Sequence, residues 1–139
     1  MMSKMFLDTS ILIYSLDSSN PRKKTISRKY LRKCTEENCG VISTQILQEF
    51  FIVSTRKMGV EPLTAKSLVH SFQNFETVLV TPEIIESAVD CHILNRISFW
   101  DALVVVAAES SKCDVVLTED MNDGQIIRGV RIHNPFKIE

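Results

Sequence analysis

Four carboxylates, Asp8, Glu49, Asp101 and Asp120, are spread across 139 residues, yet each stands where an α/β fold would deliver it to one crevice. Asp8 ends the apolar run Met5-Phe6-Leu7, and Asp120 follows Val115-Val116-Leu117-Thr118. Glu49 and Asp101 fall in the first turns of two apolar helical segments. Open α/β sheets bind ligands outside the carboxyl ends of their strands, so both strand-end acids point to the same place. Converging anions repel one another and retain protons unless a counter-charge is present. A divalent cation supplies that charge, and the set reads as the metal centre of an enzyme. Oxygen-only donors suit Mg2+ or Mn2+, with several waters left on the ion.

The elements that must position these acids alternate along the chain. Residues 4–7 form a short buried strand, and Asp8-Thr9-Ser10 turns into an apolar helix over 11–16. The loop from Asp17 to Pro21 supplies helix-start residues for an amphipathic helix over 22–34. A strand over 41–43 leads to a helix over 44–57, whose stripe is Ile46, Leu47, Phe50, Phe51 and Val53 and which Gly59 stops. Pro62 opens a helix to about 74, a strand covers 77–80, and Pro82 starts a helix to about 94. A helix over 99–109, a strand over 114–118, an acidic turn and a strand over 130–133 complete the chain. Strands alternating with helices predict a single α/β domain, residues 1–139, with a parallel sheet between helical layers.

Each acid has a purely structural role to weigh against the chemical one. Asp101 is the one polar side chain in Phe99-Trp100-Asp101-Ala102-Leu103-Val104-Val105-Val106-Ala107-Ala108. A helix apolar all round is buried, so this carboxylate starts in a poorly solvated place. Ser98 and Asp101 also have capping-box spacing, which leaves the carboxylate free oxygens for a metal. Glu49 lies on the shoulder of its apolar stripe, with Gln45 one turn earlier on the same face. Asp8 competes with an Asx-turn role. Around the last acid, Glu119, Asp120 and Asp123 are equivalent by spacing, and Asn122-Asp123-Gly124 reads as a turn. Trp100 is expected in the core, as are the apolar residues of 11–16 and of the helix after Pro62.

Net charge is −1, but seven of the 16 basic residues fall between Arg22 and Lys33, leaving nine against 17 acids elsewhere, a net of −8. This block marks Arg22, Lys23, Lys24, Arg28 and Lys29 as candidates for holding a polyanion such as RNA, against the alternative of a solvated helix face. Cys34, Cys39, Cys91 and Cys113 contain no Cys-x-x-Cys pair, and three isolated histidines do not restore zinc-ligand spacing. The cysteines fit a reducing compartment as small apolar residues. No stretch approaches the length of a membrane span, so no membrane role and a cytoplasmic location are expected. Four glycines with no G-x-G-x-x-G or P-loop exclude a dinucleotide fold.

Asp8-Thr9-Ser10, Gln48-Glu49-Phe50, Ser98-Phe99-Trp100-Asp101-Ala102 and Thr118-Glu119-Asp120, in this order, resemble the motifs of the PIN domain. More closely, they resemble a VapC-type toxin ribonuclease of a type II toxin–antitoxin pair, over nearly the whole chain. The resemblance implies an α/β/α sandwich with a central parallel sheet of about five strands. It also implies an Mg2+- or Mn2+-dependent endoribonuclease, a homodimer and a complex with a small antitoxin. Asp8, Glu49 and Asp101 match the family's near-universal acids, and Asp120 its more variable fourth. Thr9 and Thr118 match positions whose hydroxyls support the carboxylates. Under this resemblance Asp8 and Asp101 are expected as primary ligands, while Glu49 and Asp120 hold metal-bound waters, a second ion or the attacking water. In-line attack then cleaves a phosphodiester without a covalent intermediate.

Two rival classes remain. One is a PIN-type nucleic-acid-binding module with little turnover, acting in a DNA-bound toxin–antitoxin repressor. The other is a doubly wound phosphoryl-transfer domain. That class needs Asp-x-Asp after the first strand, where this chain has Asp8-Thr9-Ser10, or, in a receiver domain, a lysine where it has Thr118-Glu119-Asp120.

Overall fold

The computed structural model describes residues 3–137. Along the chain run β1 (Met5–Leu7), α1 (Thr9–Tyr14), α2 (Pro21–Glu36), β2 (Gly40–Ser43), α3 (Thr44–Arg56) and α4 (Pro62–Phe72). Then follow β3 (Glu76–Val78), α5 (Pro82–Asn95), α6 (Phe99–Ser110), β4 (Val115–Leu117), β5 (Ile126–Ile127) and β6 (Val130–His133). The helix starts are those the cap residues announce. Asn20, Ser43, Thr81 and Ser98 each accept a hydrogen bond from the backbone N–H three residues on, and Pro21, Pro62 and Pro82 open their helices.

The six strands form one sheet in the order β3-β2-β1-β4-β6-β5. Five are parallel, as the alternation predicts, and β5 runs antiparallel to β6. Every residue of β2 and β4 is buried, so helices cover both faces of the sheet centre. Order reverses at β1: the chain steps outward through β2 and β3, then returns to lay β4 on the other side of β1. The β1–β4 boundary is thus the topological switch point, where such sheets open a crevice at their strand ends. Asp8 N–H bonds to the Leu117 carbonyl at 3.1 Å, which locks the two strand ends together at that crevice.

The core is one cluster of Phe6, Leu7, Ile11, Leu12, Ile42, Ile46, Phe50 and the length of α6 from Ala102 to Ala108. Gly40 is required by close approach, since a Cβ there would meet Phe75 Cδ1 at 2.7 Å and Cys34 Cβ at 2.9 Å. All four cysteines are buried and free. No single helix among the described residues is long and apolar enough to cross a membrane.

Two expectations need correction. The strand β5 was not anticipated: it has two residues and joins β6 through Arg128 and Gly129, with φ of 52° and 78°. Positive φ at both turn residues is the type I′ hairpin geometry, here carrying arginine where asparagine is usual. The apolar residues of α1 and α4 are not uniformly in the core. Ile11 and Leu12 are fully buried, whereas Leu63 is 69% exposed, because it lines an open groove between α3 and α4 and does not face the core.

Candidate active site

Asp8 occupies the N-cap of α1 but makes no capping hydrogen bond with its side chain. Instead its Oδ2 accepts from Thr118 Oγ1 at 2.6 Å, across the β1–β4 boundary. Thr118 is fully buried, and its Oγ1 also accepts from the Asp120 N–H at 3.1 Å. One threonine thereby sets the place of two acids. Glu49, in the second turn of α3, has its Oε1 held by Thr9 Oγ1 at 3.0 Å. Asp101 sits at N3 of α6, its N–H bonded to the Ser98 hydroxyl at 3.0 Å. All four carboxylates, with Thr9, Gln45, Trp100 and Val104, line one cavity of about 90 Å³.

No cation lines that cavity, and the electrostatics show the consequence. Asp8 is pushed up to about 6, chiefly by burial, with the Glu49 and Asp120 charges adding to the rise. Glu49 is raised by burial and then by Asp101 and Asp120. Asp101 is raised by burial and by Asp120, and Asp120 by burial and by Glu119. Desolvation and like charge both disfavour the ionised form, and they act on all four groups together. Among the described residues, no three His, Cys, Asp or Glu side chains stand close enough, as placed, to hold one ion.

The three acids that spacing left equivalent have separate fates. Glu119 accepts from Tyr14 Oη at 2.7 Å and is paired with Lys23 Nζ, and these partners hold its carboxyl below the usual range. Asp123 accepts from the Asn134 N–H at 2.8 Å and lies near His133 and Lys137, away from the cavity. Asp120 alone of the three enters the cavity.

The basic candidates are not brought together at the site. Lys23 reaches its edge, bound to Glu119 and Tyr14 and lying over the Tyr14 ring at 4.7 Å. Arg22 donates to the Phe136 carbonyl, Arg28 to the Ser15 carbonyl at 2.9 Å and Lys24 to the Ser18 hydroxyl at 2.9 Å. Lys29 lines a separate recess with Arg32 and Lys33. The amphipathic pattern located this face of α2, but not that Lys23 is committed to an acid 96 residues away.

Two residues at the cavity lay outside the sequence reading of the site. Trp100 is 64% exposed, contrary to the expectation of a core position, because the first turn of α6 emerges at the crevice before the helix enters the core. Gln45 is buried, and its Nε2 donates to the Trp100 carbonyl at 3.2 Å. Its Oε1 is buried with no hydrogen-bond partner. The signal for Gln45 was its place one turn before Glu49.

The PIN domain family model matches residues 5–123. No curated protein sequence matches the chain significantly. Among solved structures, the chain resembles DNA-bound VapBC from Salmonella typhimurium at 20% identity and a TM-score of 0.69, covering 96% of this chain and 99% of that one. It resembles VapBC2 from Rickettsia felis, bound to a promoter DNA fragment, at 17% identity and a TM-score of 0.66, covering 94% and 97%. It also resembles VapC20 of Mycobacterium tuberculosis, a Sarcin-Ricin loop cleaving toxin, at 18% identity and a TM-score of 0.59, covering 81% and 87%.

Proposed function

The chain belongs to the PIN domain family, and from that premise we propose that it is a divalent-metal-dependent endoribonuclease, the toxin of a type II toxin–antitoxin pair. The observation that carries the reading is the cavity lined by Asp8, Glu49, Asp101 and Asp120 with no cation among its walls. The donor set fits Mg2+ or Mn2+ in kind, being hard oxygen throughout. The partnerless Gln45 Oε1 on the same cavity supports this fit, since it is an acceptor that an ion or its water would satisfy.

Asp8 and Asp101 would hold the ion, and Glu49 and Asp120 would hold its waters. When bound, the metal polarises the scissile phosphate and acidifies a water. The chain's own groups complete the chemistry. Thr118 keeps Asp8 largely ionised at neutral pH by donating to Oδ2, against the burial that lifts its pKa to about 6. Thr9 occupies Glu49 Oε1 and leaves Oε2 free to take a proton from the attacking water. No cysteine lines the acidic cavity, and burial pushes the Cys34 thiol up to about 12 and the Cys113 thiol up to about 11. Direct attack by water, without a covalent intermediate, is therefore the proposed route.

The toxin reading also rests on the structural neighbours, which include toxin–antitoxin complexes. Exposed apolar surface supports protein partners. A groove between α3 and α4, lined by Leu47, Phe51, Ile52, Leu63 and Val69, suits an apolar segment of a small antitoxin. Ile85, Val89 and Ile93, four residues apart on α5 and all exposed, form a stripe suited to a second copy of the chain.

The test is cleavage of a mixed tRNA and rRNA pool by the antitoxin-free protein, with Mn2+, with Mg2+ and with chelator, beside Asp101→Asn. Discrete metal-dependent cuts that vanish in the variant are expected. Nucleic acid bound but never cut, by folded and inhibitor-free protein, would replace the nuclease with a binding module.

A further inference from the structure

We infer that Trp100 is a base-stacking platform, seating one unpaired nucleobase beside the acidic cavity. The inference rests on the nuclease reading and names a residue that positions its substrate.

The indole is 64% exposed, although it precedes Asp101 at the head of a helix whose next seven residues are all buried. It is nonetheless held in place. Phe99 packs against the ring at 5.4 Å with an interplanar angle of 70°, and Gln45 Nε2 ties down the Trp100 carbonyl at 3.2 Å. The ring walls both the acidic cavity and an adjoining open groove of about 740 Å³, a volume suited to a small organic ligand. Ile13, Ile52 and Val53 give that groove apolar surface, and Lys57 is the one cation that lines it.

One divalent ion would offset only part of the charge of four carboxylates. A nucleic acid entering this place therefore gains from contacts that do not depend on charge, and stacking on an exposed indole is one that every base can make. Charge recognition has a place farther along: Glu49, Val53 and Lys57 fall four residues apart on one face of α3 and just beyond it. That spacing carries the groove from carboxylate to ammonium over roughly 12 Å of helix axis. A base seated on Trp100 can thus sit beside the reacting phosphate while a neighbouring phosphate meets Lys57. A base inside a duplex has both faces covered by its neighbours and cannot stack on the indole without leaving the helix.

Trp100 is the only tryptophan in the chain, so its emission reports directly on the contact. Asp8→Asn protein, in which cleavage is expected to be lost, is titrated with a single-stranded oligoribonucleotide, with the same sequence annealed as a duplex, and with a strand carrying abasic positions. Quenching by the single strand alone is expected. In the Asp8-containing background, Trp100→Ala should raise KM for single-stranded RNA roughly 5- to 100-fold, the range of one lost base stack. Trp100→Phe should stay within a few-fold, with Tm and Mn2+ affinity unchanged in both variants. Equal quenching by the abasic strand, or full activity in Trp100→Ala, would overturn the stacking role while leaving the nuclease intact. Quenching by a protein partner but by no nucleic acid would reassign the surface to protein docking. Failure of every variant and of the wild type to bind or cut any strand would remove the nuclease reading itself.

Discussion

Asp8→Asn should stabilise the metal-free protein, and by an amount that depends on pH in a way set by one carboxyl group. Asp8 is buried, and its pKa rises from 3.8 to about 6 on folding. A carboxyl whose folded pKa lies above its unfolded value binds more protons in the native state between those two values. Stability therefore falls as pH rises through that window and stays lowered above it. The penalty is absent below both pKa values, small at pH 4, and about 3 kcal/mol at pH 7. An asparagine cannot ionise and escapes it, while its Oδ1 still accepts from the Thr118 hydroxyl. Any fixed difference between amide and acid shifts the whole curve without bending it. The assay is urea unfolding of both proteins in chelator from pH 4 to 8. The gap between them should widen by about 2 to 3 kcal/mol in favour of the variant, with most of the change between pH 4 and 6. Saturating Mn2+ should then stabilise the wild type and leave the variant unmoved, because ligand binding to the native state adds stability only where the ligand is held. A gap that stays flat across pH, or a variant less stable at pH 8 than at pH 4 relative to wild type, would refute the argument that an uncompensated charge resides at Asp8.

Thr118→Val removes the hydroxyl that donates to Asp8 Oδ2 while keeping the buried volume. Loss of a hydrogen bond to a charged group, about 1.5 to 3 kcal/mol, should lift the Asp8 pKa by about one to two units. Mn2+ affinity by calorimetry should drop at pH 7 and recover towards pH 9; an equal loss at both pH values would count against the mechanism. Lys23→Met should cost about 1 kcal/mol or less at pH 7, since the Lys23–Glu119 pair is partly solvated. Because Glu119 has a lowered pKa, that cost should shrink as pH falls below 4.5; thermal melts at pH 7 and pH 3.5 distinguish this from a pH-independent packing defect. The same variant removes a cation that favours the ionised form of Asp120, so Mn2+ affinity by calorimetry should fall as well.

What the sequence disclosed depended on how local the determining physics was. Asp8 at the end of an apolar strand and Asp101 alone in an apolar helix announce themselves, because each conflicts with its own neighbours. The choice among Glu119, Asp120 and Asp123 is not local. It is made by Tyr14 and Lys23, more than 90 residues away, which take Glu119, and by Asn134, which takes Asp123. Trp100 was misplaced because periodicity shows that a helix is apolar all round, not which turn clears the sheet edge. The strand β5 was missed because two residues carry no period, and its pairing with β6 is set by an Arg128-Gly129 turn that the preferred asparagine does not mark. The parallel strands, by contrast, follow from cap residues and buried runs that agree with one another.

The position of β1 has a further consequence for how the protein comes to exist. This strand lies at the centre of the sheet, and its hydrogen-bonded neighbour β4 lies some 110 residues downstream. Joining them closes the longest loop between paired strands of the sheet, and the chain entropy of that loop is lost before the contact rewards it. The contact that places Asp8 and Asp120 on one cavity, through Thr118, forms only with that closure. During synthesis Asp8 and Asp120 therefore stay apart until β4 and Thr118 have been made, whereas Glu49 can reach the Thr9 hydroxyl across only 40 residues. A product that stops before Thr118 lacks both the hydroxyl and the fourth acid. For a protein whose proposed substrate is RNA, the order of synthesis withholds the full set of acids until Thr118 and Asp120 are in place.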